Sequence, residues 1–193
     1  MNNIFKKNIN NVYEYVDLTR NVRRFNNASY IDGYNDSVLD HTARVVFLSL
    51  EFAEYLKKDF NLEIDTVLLM RIAMFHDLAE IETGDMSGPV KDEVPEIKEL
   101  MEMVEQEYLK RIFYKEFIDK IYDGNSLEYK IMKLADKYDV YLQMYLISGK
   151  YHKKTSQFSK INSIMVNTMH KIKEMDIYKT YFTNYLEFDG VES

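Results

Sequence analysis

The chain contains no cysteine in its 193 residues. This absence excludes a disulfide framework, a zinc site built on thiolates and catalysis by a thiol nucleophile, and it fits a reducing compartment. Only two prolines and six glycines are present, and no linker, repeat or low-complexity tract interrupts the chain. We therefore expect a single domain over 1–193, with a core over about 20–150 that carries the motifs described below and a helical extension over 151–193.

Long apolar runs and an excess of positive charge are also missing. No stretch approaches the roughly 20 apolar residues that span a bilayer, and the N-terminal segment has no apolar signal core. We therefore expect a soluble, cytoplasmic protein without a membrane partner. The formal net charge of −7 opposes binding to a long polyanion, so nucleic acid is not an expected partner. A small phosphate ester is still compatible, because one cation and a few basic side chains can outweigh the overall charge.

Apolar residues recur mostly at helical spacing. No segment of adequate length alternates with period two, which predicts an all-α fold. Ser37, Asp65 and Ser126 are expected to cap helices, and Gly84 is expected to end the helix that carries His76. From these caps and stops we expect helices over about 4–19, 37–58, 65–84, 96–123, 126–147 and, in one or two pieces, 156–188.

The pair His76-Asp77, near the end of the run VLLMRIAMFHDLAE, points most directly to chemistry. His41 in LDHTARVV and Asp136 in MKLADKYDV lie far from it in sequence, each on a segment expected to be helical. Two imidazoles and two carboxylates can hold a divalent cation with positions left open for water and substrate. Such a cation makes hydroxide near neutral pH and polarises a phosphoryl oxygen. The pattern predicts a phosphohydrolase with one divalent transition metal, because mixed oxygen and imidazole ligands suit Mn, Co, Fe, Ni or Zn better than Ca or Mg.

Each of these residues also has an ordinary structural explanation when taken alone. A single histidine on a helix is usually packed or solvated, and a His-Asp dipeptide is common by chance. The combination is more informative: Glu80 follows His-Asp by one turn, a Thr-Gly-Asp turn ends at Asp85, and an Ala-Asp pair stands in a later helix.

Together these motifs resemble the HD-domain phosphohydrolases. The stretch HDLAEIETGDMSGPVK, with the upstream histidine and the later KLADKYDVYL, is most similar to the YfbR-like 5'-deoxynucleotidase branch, which removes phosphate from deoxynucleoside monophosphates. The similarity covers roughly 20–143. It implies an HD-domain helical bundle with a metal site in its core, and it assigns the four metal ligands to His41, His76, Asp77 and Asp136.

The resemblance also implies roles for residues around the metal. Glu80 matches a glutamate near the attacking water, and it would orient that water or accept its proton. Asp85 matches an aspartate beside the substrate, where it would hold the sugar hydroxyl or donate a proton to the leaving oxygen. As structural alternatives, Glu80 is an ordinary helix-surface carboxylate and Asp85 a loop carboxylate that accepts from local amides.

Upstream, the family carries an arginine that contacts the phosphate and then a tryptophan at the sugar. We match these to Arg24 and Phe25, with Arg23 as the competing arginine. A phenylalanine at this position leaves the selectivity for deoxyribose over ribose open, because a smaller ring excludes a 2'-hydroxyl less well. Lys133, one turn before Asp136, would contact the phosphate or remain solvated.

Three functions stay open at this point. The first is a deoxynucleoside 5'-monophosphatase. The second is a deoxynucleoside triphosphate triphosphohydrolase, in which Arg23, Arg44 or Lys91 would bind the outer phosphates. The third is a non-catalytic nucleotide-binding or assembly module. No histidine occurs between His76 and Asp136, which favours a mononuclear site over a two-metal cyclic-dinucleotide phosphodiesterase.

The resemblance further implies a homodimer. Several apolar residues of the later helices would serve either as a partner surface or as core: Ile112, Phe113, Phe117, Tyr138, Tyr141 and Tyr145.

Overall fold

The structure, a computed structural model, describes residues 13–25, 31, 35–86 and 93–188. Residues 13–19 are helical, and the named helices are α1 (Val38–Phe60), α2 (Thr66–Phe75), α3 (Glu80–Thr83), α4 (Pro95–Ile112), α5 (Lys115–Ile121), α6 (Leu127–Ser148) and α7 (Ser156–Glu174), followed by a π-helical turn at Tyr178–Phe182. Within these described ranges no strand forms beyond one isolated antiparallel bridge between Arg23 and Ser37. The all-α prediction is confirmed. The expected helical residues 4–12, Lys91 and the end of the loop over 83–89 lie outside the described residues.

The helix caps form as the sequence predicts. The N–H of Asp40 donates to Ser37 Oγ at 3.1 Å, and Asp40 Oδ2 accepts from the N–H of Ser37 at 3.0 Å and from its hydroxyl at 2.6 Å. This reciprocal pair satisfies the first free donors of α1. Asp65 and Ser126 each accept from the backbone N–H three residues on, at 2.9 and 3.1 Å. No helix in the described ranges combines the length and apolar character needed to cross a bilayer.

The prediction that one helix carries His76 and Asp77 is wrong. Helix α2 ends at Phe75, residues 76–79 form a turn, and α3 begins at Glu80. Within this turn the N–H of Glu80 donates to the carbonyl oxygen of Asp77 at 3.1 Å, three residues back instead of the four of an α-helix. Adjacent side chains on an α-helix point about 100° apart, and the tighter turn removes that constraint. Gly84 ends the short helix with φ 73° and ψ 158°, a conformation essentially restricted to glycine.

The single helix expected over 96–123 is also wrong, because it is broken at Phe113. This residue is extended, with φ −118° and ψ 163°, and α5 begins only at Lys115. Its ring instead packs edge-on against Phe75, with centroids 5.0 Å apart, and lies 6.0 Å from the ring of Phe117. Aromatic packing between distant segments therefore prevails over local helix propensity here.

The chain divides into two compact units. Among the described residues the first contains 13–25, 35–43, 74–86 and 93–123, and the second contains 31, 44–73 and 124–188. Buried Leu109, Ile118 and Ile121 belong to the core of the first unit. In the second unit Phe52 packs on Phe182, with ring centroids 5.0 Å apart. The single domain expected over 1–193 stays a prediction.

The candidate partner residues differ in exposure. Tyr141 is buried and belongs to the core of the second unit, whereas Tyr145 is exposed. Phe113, Phe117 and Tyr138 are half-buried. A homodimer surface that includes Tyr145 therefore stays a prediction, and Tyr141 is assigned to the core.

Within the second unit, an ion pair joins α1 to α6. Arg44 Nε lies 2.7 Å from Asp139 Oδ1, and Arg44 Nη2 lies 3.2 Å from Asp139 Oδ2. The Asp139 side chain is 1% exposed and the Arg44 side chain 31%. Two parallel hydrogen bonds give this pair a defined geometry.

We expect Asp139→Asn to lower the free energy of unfolding. The loss should be about 2 kcal/mol, below the roughly 3–5 kcal/mol of a fully buried broken pair, because water still reaches Arg44. Urea denaturation measures the change, with Asp119→Asn on the exposed face of α5 as the matched control. A loss no greater than that of the control would contradict a stabilising role for the pair.

Candidate metal centre

Three of the four predicted metal ligands lie in the first unit, on two local elements. His41 stands in the first turn of α1, where its N–H donates to the carbonyl oxygen of Ser37 at 3.1 Å. The capped start of α1 therefore fixes its position. His76 and Asp77 stand in the turn between α2 and α3. The structure brings the three together although 35 residues separate the two histidines.

The donor atoms of these three residues lie close to one another. The Nε2 atoms of His41 and His76 are 3.4 Å apart. Asp77 Oδ2 lies 3.4 Å from His41 Nε2 and 3.2 Å from His76 Nε2. The imidazoles are buried, with side-chain exposures of 0% and 2%, whereas Asp77 is 22% exposed. The carboxylate therefore forms the side of the cluster that solvent can reach.

These separations match those of ligands on a single ion. Zinc-like bonds of about 2.1 Å place neighbouring ligand atoms about 3.0 Å apart in an octahedral arrangement and about 3.4 Å apart in a tetrahedral one. The observed separations between the three donor atoms, 3.2 to 3.4 Å, fall within this range. Two imidazole nitrogens and a carboxylate oxygen also form a common donor set for divalent transition metals. The group His41, His76 and Asp77 can therefore hold a metal ion.

Electrostatics keeps the Asp77 carboxylate ionised. Burial raises its pKa, but the adjacent charge of His76 and hydrogen bonds from His41 and His76 outweigh burial and hold the pKa well below its usual range. The side chain is therefore anionic at neutral pH, which is the form that binds a cation.

Glu80 is placed by the same turn. It is the first residue of α3, only 6% exposed, and its carbonyl oxygen accepts from the N–H of Gly84 at 2.8 Å. A carboxylate this buried is not an ordinary helix-surface group, so the structural alternative for Glu80 is wrong.

The predicted substrate residues Arg24 and Phe25 are tied to the start of α1. The N–H of Arg24 donates to the carbonyl oxygen of Asp36 at 3.0 Å, beside the bridge between Arg23 and Ser37. The Arg24 guanidinium carbon lies 5.3 Å from the centre of the Phe25 ring. Arg24 is half-buried and Arg23 exposed.

Asp85 reaches the same segment from the loop after α3. Its Oδ2 accepts a hydrogen bond from the backbone N–H of Phe25 at 3.1 Å. Three predicted substrate residues, Arg24, Phe25 and Asp85, therefore lie together in the first unit.

A family model described as 5'-deoxynucleotidase YfbR-like matches residues 11–187. The chain belongs to this family. A 5'-deoxynucleotidase of Vibrio atlanticus (strain LGP32) is 26% identical over 158 residues, covering 77% of this chain and 80% of that protein. A 5'-deoxynucleotidase of Yersinia pseudotuberculosis serotype I (strain IP32953) is 26% identical over 179 residues, covering 86% of this chain and 82% of that protein.

Solved structures agree on the fold. A conserved hypothetical protein from Pyrococcus furiosus superposes with a TM-score of 0.64 at 26% identity, covering 84% of this chain and 98% of that one. An HD-domain phosphohydrolase from Listeria innocua superposes with a TM-score of 0.70 at 21% identity, covering 91% of this chain and 87% of that one. As a member of the YfbR-like family, the chain is a hydrolytic enzyme and a nucleotide phosphohydrolase. The non-catalytic alternative is therefore not retained.

Two further predicted residues of this YfbR-like chain lie on α6 in the second unit. Asp136 Oδ2 is 3.8 Å from Lys133 Nζ, and Lys133 Nζ also lies 5.8 Å from the centre of the Tyr129 ring. The role of Asp136 as fourth metal ligand and that of Lys133 at the phosphate stay predictions.

Sequence reasoning missed two interactions that bear on this site. It did not find the hydrogen bond from Phe25 to Asp85, which joins a backbone N–H to a side chain and therefore leaves no residue-type pattern. It also proposed Arg44 for outer phosphates, whereas the structure engages this guanidinium with buried Asp139. The sequence signal available for this pair was an aspartate one turn after Asp136, which by itself identifies no partner.

Proposed function

We propose that the protein removes the 5'-phosphate from deoxynucleoside monophosphates, using one divalent transition metal ion bound by His41, His76, Asp77 and Asp136. The observation that supports this most is the convergence of two imidazoles and one carboxylate within 3.4 Å of one another. The relatives at 26% identity are named 5'-deoxynucleotidases, which supports this substrate class.

Each residue of the centre has a separate task in this proposal. The ion, when bound, would activate water and polarise a phosphoryl oxygen. His41 and His76 would bind it through neutral Nε2 atoms, and Asp77 would bind it as an anion. Glu80, buried at the start of α3, would orient the attacking water or accept its proton.

The substrate would contact Arg24 and Phe25, in the segment that is hydrogen-bonded to the residues before α1. Arg24 would bind the phosphoryl oxygens and offset the charge that develops on them. Phe25 would lie against the sugar. The resemblance implies two direct roles for Asp85, holding the sugar hydroxyl or donating a proton to the leaving 5'-oxygen, and its bond to the Phe25 N–H is compatible with an indirect one.

The triphosphohydrolase alternative is less well supported. It requires additional bases for the outer phosphates, and Arg44, one of the three proposed, forms a two-point ion pair with Asp139.

A substrate screen tests the proposed function. Purified protein with Mn²⁺ or Co²⁺ is expected to release inorganic phosphate from deoxynucleoside monophosphates, to lose this activity with EDTA, and to regain it when either metal is restored. Phosphate assay and ion chromatography identify the product. Release of tripolyphosphate from deoxynucleoside triphosphates would indicate the alternative enzyme, and the absence of phosphate from every deoxynucleotide would overturn the proposal.

A further inference from the structure

Phe25 has an unusual backbone for a bulky residue. Its φ is 57°, in the left-handed region, which is strained for an L residue unless the surroundings hold it. The residues just before it are held by the bridge between Arg23 and Ser37 and by the hydrogen bond from Arg24 to Asp36. At Phe25 itself, the N–H donates to Asp85 Oδ2 at 3.1 Å, across 60 residues of sequence.

The backbone conformation before Asp85 places its carboxylate beside Phe25. Gly84, directly before it, has φ 73° and ψ 158°, which only glycine adopts at low cost. Because the N–H of Gly84 is bound to the carbonyl oxygen of Glu80 at 2.8 Å, the direction in which the chain enters Asp85 follows from the end of α3. The position of the Asp85 carboxylate beside Phe25 therefore depends on α3, the helix that begins at Glu80.

We propose that Asp85 is a positioning residue, whose carboxylate holds the backbone of Phe25 in the left-handed conformation and thereby sets the Arg24 and Phe25 side chains that face the substrate. This inference rests on the proposed function for the identity of the substrate, but the contact itself is formed by the protein alone. Asp85 would then control the choice between deoxyribose and ribose through Phe25. This differs from the two direct roles, a bond to the sugar hydroxyl and proton donation.

A spectroscopic experiment tests the contact without substrate or metal. The chain has 16 tyrosines but no tryptophan, so Phe25→Trp creates a single tryptophan at the position of interest, which can be excited selectively over the tyrosines. Acrylamide quenching of this tryptophan is expected to rise about twofold when Asp85→Ala is added, because the segment opens locally. Asp85→Asn keeps an acceptor oxygen and is expected to restore the parent value, whereas Asp85→Leu, similar in size but without an acceptor, is expected to behave like alanine.

A second probe controls for loss of the fold. Phe117→Trp places the same fluorophore at a half-buried position of α5 in the same unit, beside the rings of Phe75 and Phe113, where loss of the fold would expose it to the quencher. Its quenching should not change with any of the Asp85 variants. The inference is overturned if the tryptophan at 25 is insensitive to both alanine and leucine, or if asparagine quenches as readily as leucine does.

A kinetic experiment then separates positioning from direct contact. With Phe25 present, Asp85→Ala is expected to lower the ratio of kcat/KM for a deoxyribonucleoside monophosphate over its ribonucleoside counterpart about tenfold, mainly through KM. With Phe25→Ala already in place, the same change should lower that ratio less than about twofold, since coupled residues do not act additively. An equal loss in both backgrounds would show that Asp85 contacts the substrate and would overturn the inference.

If the unmodified protein hydrolyses no deoxynucleotide, only the proposed function fails, and the quenching result still decides whether Asp85 holds Phe25.

Discussion

Asp77→Ala is expected to remove the bound metal and the turnover together. Asp77 is the anion among the three clustered donors, and its Oδ2 lies 3.2 and 3.4 Å from the two imidazole nitrogens. Without it the ion would face two neutral ligands from this cluster. We expect the metal content to fall from about one ion per chain to nearly none and kcat/KM to fall by about 10³-fold or more, because activation of water depends on the ion.

Elemental analysis of the purified variant measures the metal, and phosphate release measures turnover. Asp119→Ala, on the exposed face of α5 in the same unit, is the matched control and should keep both. An Asp77→Ala protein that retains one tightly bound ion per chain would show that this cluster is not the metal centre.

Glu80→Gln is expected to separate metal binding from turnover. The glutamate is 6% exposed at the start of α3, one turn beyond Asp77, and the amide keeps its size while removing its ability to accept a proton. We expect full metal content and a fall in kcat of about 10²–10⁴-fold, the usual contribution of a general base.

The matched control is Glu99→Gln on the exposed face of α4, which should leave both quantities unchanged. A Glu80→Gln enzyme with its metal and near-normal kcat would refute the role of Glu80 as base or water-orienting group. Loss of metal along with activity would instead place Glu80 among the groups that support the ion.

Local features of the fold could be predicted from the sequence. The caps at Ser37, Asp65 and Ser126 form because a short polar side chain reaches the first free N–H groups of its own helix, which requires no distant partner. The breaks at residues 76–79 and at Phe113 could not be predicted in this way. Phe113 leaves its helix to pack on Phe75, and that partner lies 38 positions away.

The candidate site shows the same division. His41, His76 and Asp77 could be grouped because their residue types occur in a combination typical of a metal site, and because a family resemblance assigned them as ligands. The contact of Phe25 with Asp85 and that of Arg44 with Asp139 span 60 and 95 residues. Neither follows from helical periodicity, since one uses a backbone donor and the other an ordinary ion pair.

The uneven burial of the three donor side chains has a consequence for which metal ion the enzyme would hold. Both imidazoles are buried, whereas the Asp77 side chain is 22% exposed, so exchange of a bound ion with the medium would take place on the side of this carboxylate. Because protein sites of this donor type discriminate among divalent metals partly by which ones are available, the occupant would follow the supply of the surrounding medium. Growth conditions would then set the specific activity of the enzyme.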